Sequence, residues 1–168
     1  ANTFLASKQL NIGVSMYEKS MQKTAKSLLD YYDDKIVLPE DVVTIDKSKK
    51  MQLRLIKDVK KDEKILDIGP QTRMKYFSFV AECSCLLWNG PLGFYEQKPF
   101  DEGTNFVIKA VKNNNNKNFF SVAGGGDTIS MLNHAKASDY FSFISTGGGA
   151  FLEFIQGSGL PGLDSLND

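Results

Sequence analysis

Arginine is scarce in this chain. Of 20 basic residues only Arg54 and Arg73 carry a guanidinium, and neither lies in a glycine-rich stretch. Planar guanidinium forks are the side chains best suited to gripping the phosphate and carboxylate of a small acid. The chain therefore shows no evident site for such an acid. Histidine is rarer still. His134 stands alone, without a nucleophile or metal-ligand partner at motif spacing, and reads as structural. The two cysteines, Cys83 and Cys85, sit at i and i+2 in a strand-like run, on one face and badly placed to bond each other. With no second pair, buried free thiols are expected, and a reducing, cytoplasmic setting fits. The 20 basic residues balance 20 acidic ones, so no electrostatic footprint for nucleic acid or anionic lipid stands out. No apolar run approaches the roughly 20 residues that span a bilayer. GxxxxGK[ST] does not occur, which sets the P-loop aside. Nor does GxGxxG with its downstream acidic residue, which weakens a dinucleotide reading.

What the chain does have is glycine in clusters. The apolar run Phe119 to Ala123 reads as a buried strand and breaks into Gly124-Gly125-Gly126-Asp127-Thr128, which opens an apolar-periodic segment. That is a strand, a tight turn and a helix start. Glycines admit a ligand close to the backbone, and the free N–H groups of a helix start favour an anion such as phosphate. A carboxylate in the same turn suits Mg²⁺, which takes one or two carboxylates plus phosphate oxygens. Two more runs behave alike. Leu86-Leu87-Trp88 breaks into Asn89-Gly90-Pro91-Leu92-Gly93, and Phe141 to Ser145 breaks into Thr146-Gly147-Gly148-Gly149-Ala150. If these strands are parallel, all three turns lie at the carboxyl edge of the sheet, where α/β proteins bind ligands. The expected fold is α/β: a Rossmann-like parallel sheet with helices on both faces, a three-layer αβα arrangement.

Together WNGPLG, GGGDT and STGGGA resemble the C-terminal, nucleotide-binding half of phosphoglycerate kinase, and the likeness runs from Ala1-Asn2-Thr3-Phe4-Leu5 to Leu160-Pro161-Gly162. The resemblance implies that residues 1–168 are one nucleotide-binding domain, with a Gly-Ala-Lys phosphate loop, a Gly-Gly-Gly-Met turn and a substrate domain lying upstream. It implies reversible phosphoryl transfer between ATP and the 1-carboxylate of 3-phosphoglycerate. Asp127 would hold Mg²⁺, Thr128 and Gly124, Gly125 and Gly126 would meet the phosphates, and Gly126 with Gly147, Gly148 and Gly149 would cap the transferring group. Asn89, Gly90, Pro91, Leu92, Gly93 and Tyr95 would line the nucleoside side, and Glu96 would take the ribose. Of the family's Pro-x-Gly-Trp-Met-Gly-Leu-Asp run, only Leu66 and Asp67 are kept, and Ile65 stands where a glycine is usual. Leu66 is carried over as a wall of the base pocket. The resemblance further implies a cytoplasmic, monomeric parent with ATP or ADP and 3-phosphoglycerate as partners. It also implies that this chain without its upstream half is inactive. Two alternatives stay open: a nucleotide-binding module without chemistry, and a dinucleotide-binding oxidoreductase domain.

The remaining chain reads as scaffold. Ser15 and Glu18 have the form of a capping box, and Val14, Tyr17, Met21, Ala25, Leu28 and Tyr32 recur at helical spacing, predicting a core helix of about five turns. Lys35 to Leu38 and Val42 to Ile45 are expected as short strands around Pro39. Asp46 to Lys64 is expected as a solvated loop with an edge strand. Helices are predicted over Gln71 to Ala81 and Asp101 to Val111. Trp88 is assigned to the core, and Asn113 to Asn116 to a surface loop tip without function.

Overall fold

Among the described residues six runs of three to five residues form strands, and helices separate most of them. The computed structural model describes residues 1–157 and 159–165. In chain order the elements are α1 (Asn2–Ser7), α2 (Gln22–Tyr32), β1 (Asp41–Ile45), β2 (Met51–Leu55), β3 (Lys64–Ile68) and α3 (Pro70–Glu82). Then come β4 (Cys85–Asn89), α4 (Glu102–Lys112), β5 (Phe120–Gly124), α5 (Gly126–His134), β6 (Phe143–Ser145), α6 (Gly149–Ile155) and α7 (Pro161–Asp164). The chain divides into two compact units: Ala1–Tyr76 with Leu92–Phe106, and Phe77–Pro91 with Val107–Asp168.

The second unit carries the parallel sheet, in the order β4-β5-β6. Parallel neighbours need a crossover of a dozen or more residues, and α4 and α5 provide two of them. Burial of Val107, Ala110 and Val111 on α4 follows the helical spacing read from the sequence. Trp88 is buried on β4, with its ring centroid 5.8 Å from that of Phe141. The α/β architecture is as expected.

The first unit holds a second sheet, β2-β1-β3, which is antiparallel throughout. Only residues 46–50 separate β1 from β2, too few for a crossover, so the chain turns back on itself. Asp46 Oδ1 closes that turn by accepting the Ser48 hydroxyl (2.6 Å) and the N–H groups of Ser48 and Lys50. The Ser48 hydroxyl is the main reason its carboxyl is held below the usual range. Lys35 to Leu38 forms no strand.

Four further expectations are corrected. The helix predicted from Val14 begins only at Gln22, after a 3-10 turn over Lys19–Met21. Val14, Tyr17, Met21, Leu28 and Tyr32 are exposed, while Ala25 and Leu29 are buried. Ser15 makes no capping box: it is buried, and its Oγ accepts the Ile65 N–H at 2.8 Å. The pairing of residues 50 apart outcompeted the local cap. Cys85 is exposed and Cys83 half-buried, both as free thiols. Asn114 is not an idle loop residue, because its Nδ2 donates to the carbonyls of Val80 (2.8 Å) and Cys83 (2.9 Å).

A buried polar joint ties β1 to α3. The Asp41 carboxylate accepts the N–H groups of Gln71 (3.0 Å) and Thr72 (2.8 Å) and the Thr72 hydroxyl (2.7 Å), satisfying donors that a helix start leaves free. Asp41 and Thr72 are both essentially inaccessible. Asp41→Ala leaves these donors unmatched and is expected to lower unfolding free energy by about 2 kcal/mol. Urea denaturation checks this, and a loss below about 0.5 kcal/mol would contradict the joint's role.

Candidate functional site

Matched register brings the glycine turns together. In the parallel sheet Asn89 pairs with Gly124, and Gly124 with Ser145, so all three strands end at one level. Beyond that level lie Gly90-Pro91, Gly125-Gly126-Asp127-Thr128 and Thr146-Gly147-Gly148-Gly149. All belong to the second unit.

The first two turns are locked to each other. The buried Thr128 Oγ1 accepts the Gly90 N–H at 2.7 Å, so this hydroxyl positions a neighbouring turn. The Trp88 indole N–H donates to the Gly90 carbonyl at 2.7 Å, fixing the next peptide of the turn. Gly125 caps α5 with φ +92°, and a Cβ there would lie 2.5 Å from Asn89 Oδ1. The side chain of Asn89 thus rests against the backbone of the second turn. Close approach also accounts for Gly124, where a Cβ would meet the Phe151 ring of α6 at 2.3 Å.

Asp127 and Gly126 are exposed in the first turn of α5, and Thr128 behind them is buried. Nothing lies within 4 Å of a Cβ built at Gly126, so the mouth of this turn is open. At the third turn Gly148 (φ +54°) caps α6, and Gly147 and Gly149 are exposed. Among the described residues no group of three or more His, Cys, Asp or Glu forms a metal cage. A single exposed carboxylate beside open helix-start N–H groups instead fits Mg²⁺ that arrives with phosphate oxygens.

The other predicted residues fall in the first unit. Leu66 is buried with Val43 and Phe100, and its carbonyl accepts the Phe94 N–H at 2.7 Å. Thr104 Oγ1 accepts the Leu92 N–H (2.9 Å) and donates to the Leu92 carbonyl (2.6 Å). These bonds set the path of Leu92-Gly93, half-buried Tyr95 and exposed Glu96. Thr104 and Asp67 help to hold this segment, a role not assigned to either from the sequence. Their partners lie 12 and 36 residues away, so no single stretch of sequence shows these bonds.

The family model for phosphoglycerate kinase matches residues 1–158. The chain belongs to the phosphoglycerate kinase family. It is 41% identical to the phosphoglycerate kinase of Blochmanniella floridana over 171 residues, covering 100% of this chain and 42% of that protein. It is 40% identical to that of Sinorhizobium fredii, covering 99% of this chain and 44% of the relative. The structure of phosphoglycerate kinase from Coxiella burnetii is similar at a TM-score of 0.86, with 34% identity over 94% of this chain and 42% of that one. The chain thus spans less than half the length of the phosphoglycerate kinases it matches. Among the described residues no helix is long and apolar enough to cross a membrane.

Gly125→Ala tests the lock between turns. The substitution forces a side chain into a backbone region that suits glycine and against Asn89, at an expected cost of about 1–3 kcal/mol. Thermal and urea unfolding measure it, and a neutral effect would mean that the turn takes another path.

Proposed function

We propose that this chain supplies the Mg²⁺-nucleotide site of a phosphoglycerate kinase that interconverts ATP with 3-phosphoglycerate and ADP with 1,3-bisphosphoglycerate. The single observation that carries the reading is the level ending of β4, β5 and β6, which aligns three glycine turns and puts Asp127 in the middle one. Membership of the family supports the choice of kinase over dinucleotide oxidoreductase.

In this reading the N–H groups at the start of α5 hold the nucleotide phosphates, with Gly124, Gly125 and Gly126 leaving the backbone approachable. Asp127 holds Mg²⁺, which supplies charge neutralisation on the phosphate oxygens. Thr128 keeps the Asn89-Gly90-Pro91 turn in place through its hydroxyl. Leu92, Gly93 and Tyr95 border the nucleoside, with Leu66 behind them, and Glu96 accepts the ribose hydroxyls. Gly126, Gly147, Gly148 and Gly149 face the phosphoryl group as it moves. A carboxylate oxygen of the acid attacks the γ-phosphorus while the bond to the β-phosphate oxygen breaks. The acceptor is already an anion, so positioning and electrostatics do the work and no general base is required. The protein is proposed to act in the cytoplasm, as a monomer.

Calorimetry with ADP tests the nucleotide site. Mg²⁺ is expected to tighten ADP binding to the chain, and Asp127→Ala to abolish that tightening while metal-free binding survives. Glu96→Ala should weaken ADP with or without Mg²⁺ by about 1.5–3 kcal/mol. Unchanged affinities in both variants would overturn the assignment.

The acid site is proposed to lie outside this chain. A coupled assay on the 168-residue chain should give no transfer to 3-phosphoglycerate above background, because proximity of both substrates is where much of the rate originates. Sustained turnover would refute that.

A further inference from the structure

One carboxylate, Asp67 on β3, is buried in the first unit. Its exposure is 2%. Oδ2 accepts the N–H of Gly103, in the first turn of α4, at 2.9 Å, and Oδ1 accepts its neighbour Ile68 N–H at 2.8 Å. Arg73 on α3 approaches Oδ2 at 3.6 Å, donates through Nε to the Ile68 carbonyl at 3.0 Å, and pairs through Nη1 with Glu102. Two glycines press on the same carboxylate. A Cβ at Gly93 would fall 2.5 Å from Oδ1, and one at Gly103 would fall 2.4 Å from it. Asp67 therefore bonds one end of the segment, at Gly103, and packs closely against the other, at Gly93.

Within that segment the chain has few choices left. Phe94 donates to the Leu66 carbonyl next to Asp67, and Gln97 N–H turns back to the Phe94 carbonyl at 3.0 Å. Phe100 donates to the Gln97 carbonyl and is buried against Val43 and Leu66. Glu96 sits in the turn so closed, exposed and with its place set by the backbone around it.

We propose that Asp67 is a positioning residue whose buried carboxylate sets the path of the 93–103 segment and hence the place of Glu96. The link to nucleotide affinity rests on the assignment of Glu96 to the ribose; the link to the segment does not. Asp67 is also a proton-sensitive peg. Burial first of all pushes its carboxyl up to about 6, against the N–H bonds of Gly103 and Ile68 and the charge of Arg73, with Glu102 adding to the rise. Arg73 from α3 and Glu102 from α4 are the charged groups that face it. The sign follows. An acid whose folded pKa lies above its unfolded value near 3.8 takes up a proton on folding between those values. Stability therefore falls as pH rises from about 4 to about 6, and the ionised carboxylate is kept at a cost because it holds the segment.

The test uses amide NMR, hydrogen exchange and ADP calorimetry on the whole chain. In the wild type the Gly103 amide shift should titrate with a midpoint near 6, and Asp67→Asn should remove that titration. Asp67→Asn should also lower the protection of Phe94 and Gly103 at least tenfold, with the amides of β1 and β2 unchanged. Mg²⁺-ADP affinity should fall about as far as in Glu96→Ala, and the double variant should fall no further. A flat Gly103 amide, or protection lost equally across β1, β2 and the segment, would make Asp67 merely structural and overturn the proposal. If the segment loosens but Glu96→Ala leaves ADP affinity untouched, the ribose assignment fails while the positioning role stands. Should Asp67→Asn not fold, hydrogen exchange on the wild type decides: slow exchange at Phe94 and Gly103 supports the pinned segment, and exchange there as fast as in exposed loops overturns it.

Discussion

Parallel pairing in level register is the constraint on which the candidate site depends. Asn89, Gly124 and Ser145 are cross-strand partners, so the three turns cannot slide past one another without breaking the ladder. A slip of one residue would also turn every side chain to the opposite face, exposing Trp88 and Ala123, which are now buried. Burial of the sheet and alignment of the turns are thus one requirement. The hydroxyl of Thr128 and the side chain of Asn89 then fix the fine placement, joining the first turn to the second by contacts that glycine at 125 permits.

The first unit is held differently. Its sheet is small, and much of its definition comes from buried carboxylates matched to backbone donors. Asp41 serves α3, Asp67 serves α4, and Glu63 is gripped by Arg54 through Nε at 3.0 Å and Nη2 at 2.8 Å. That grip, more than any other contact, holds the Glu63 carboxyl below its usual range. Such groups are costly to bury unless every partner is in place, so each specifies a single arrangement of the elements it joins.

This accounts for the use of both arginines. Arg54 is committed to Glu63, and Arg73 to Ile68, Glu102 and Asp67. Both guanidiniums in the chain serve structure, which leaves none to grip an anionic acid substrate. The observation agrees with the proposed placing of the acid site outside this chain.

The sequence by itself determined the elements whose signals are local. An apolar run followed by glycines marked β5 and α5, the helical spacing of Val107, Ala110 and Val111 marked α4, and the short runs before WNGPLG and STGGGA marked β4 and β6. Neighbouring residues settle such features, because strand period, helix period and glycine turns are properties of a few consecutive positions. Tertiary structure decided the rest. Ser15 gave up a cap to bind Ile65, which delayed α2 to Gln22 and left Tyr17 and Met21 in solvent. The loop over 46–50 was too short for a crossover, so β1, β2 and β3 closed an antiparallel sheet of their own. Asp67, Thr104 and Asn114 look like ordinary polar residues until folding brings Gly103, Leu92 and Val80 to them. Their roles are bonds between residues 12 to 36 apart, and no short stretch of sequence contains both ends of such a bond.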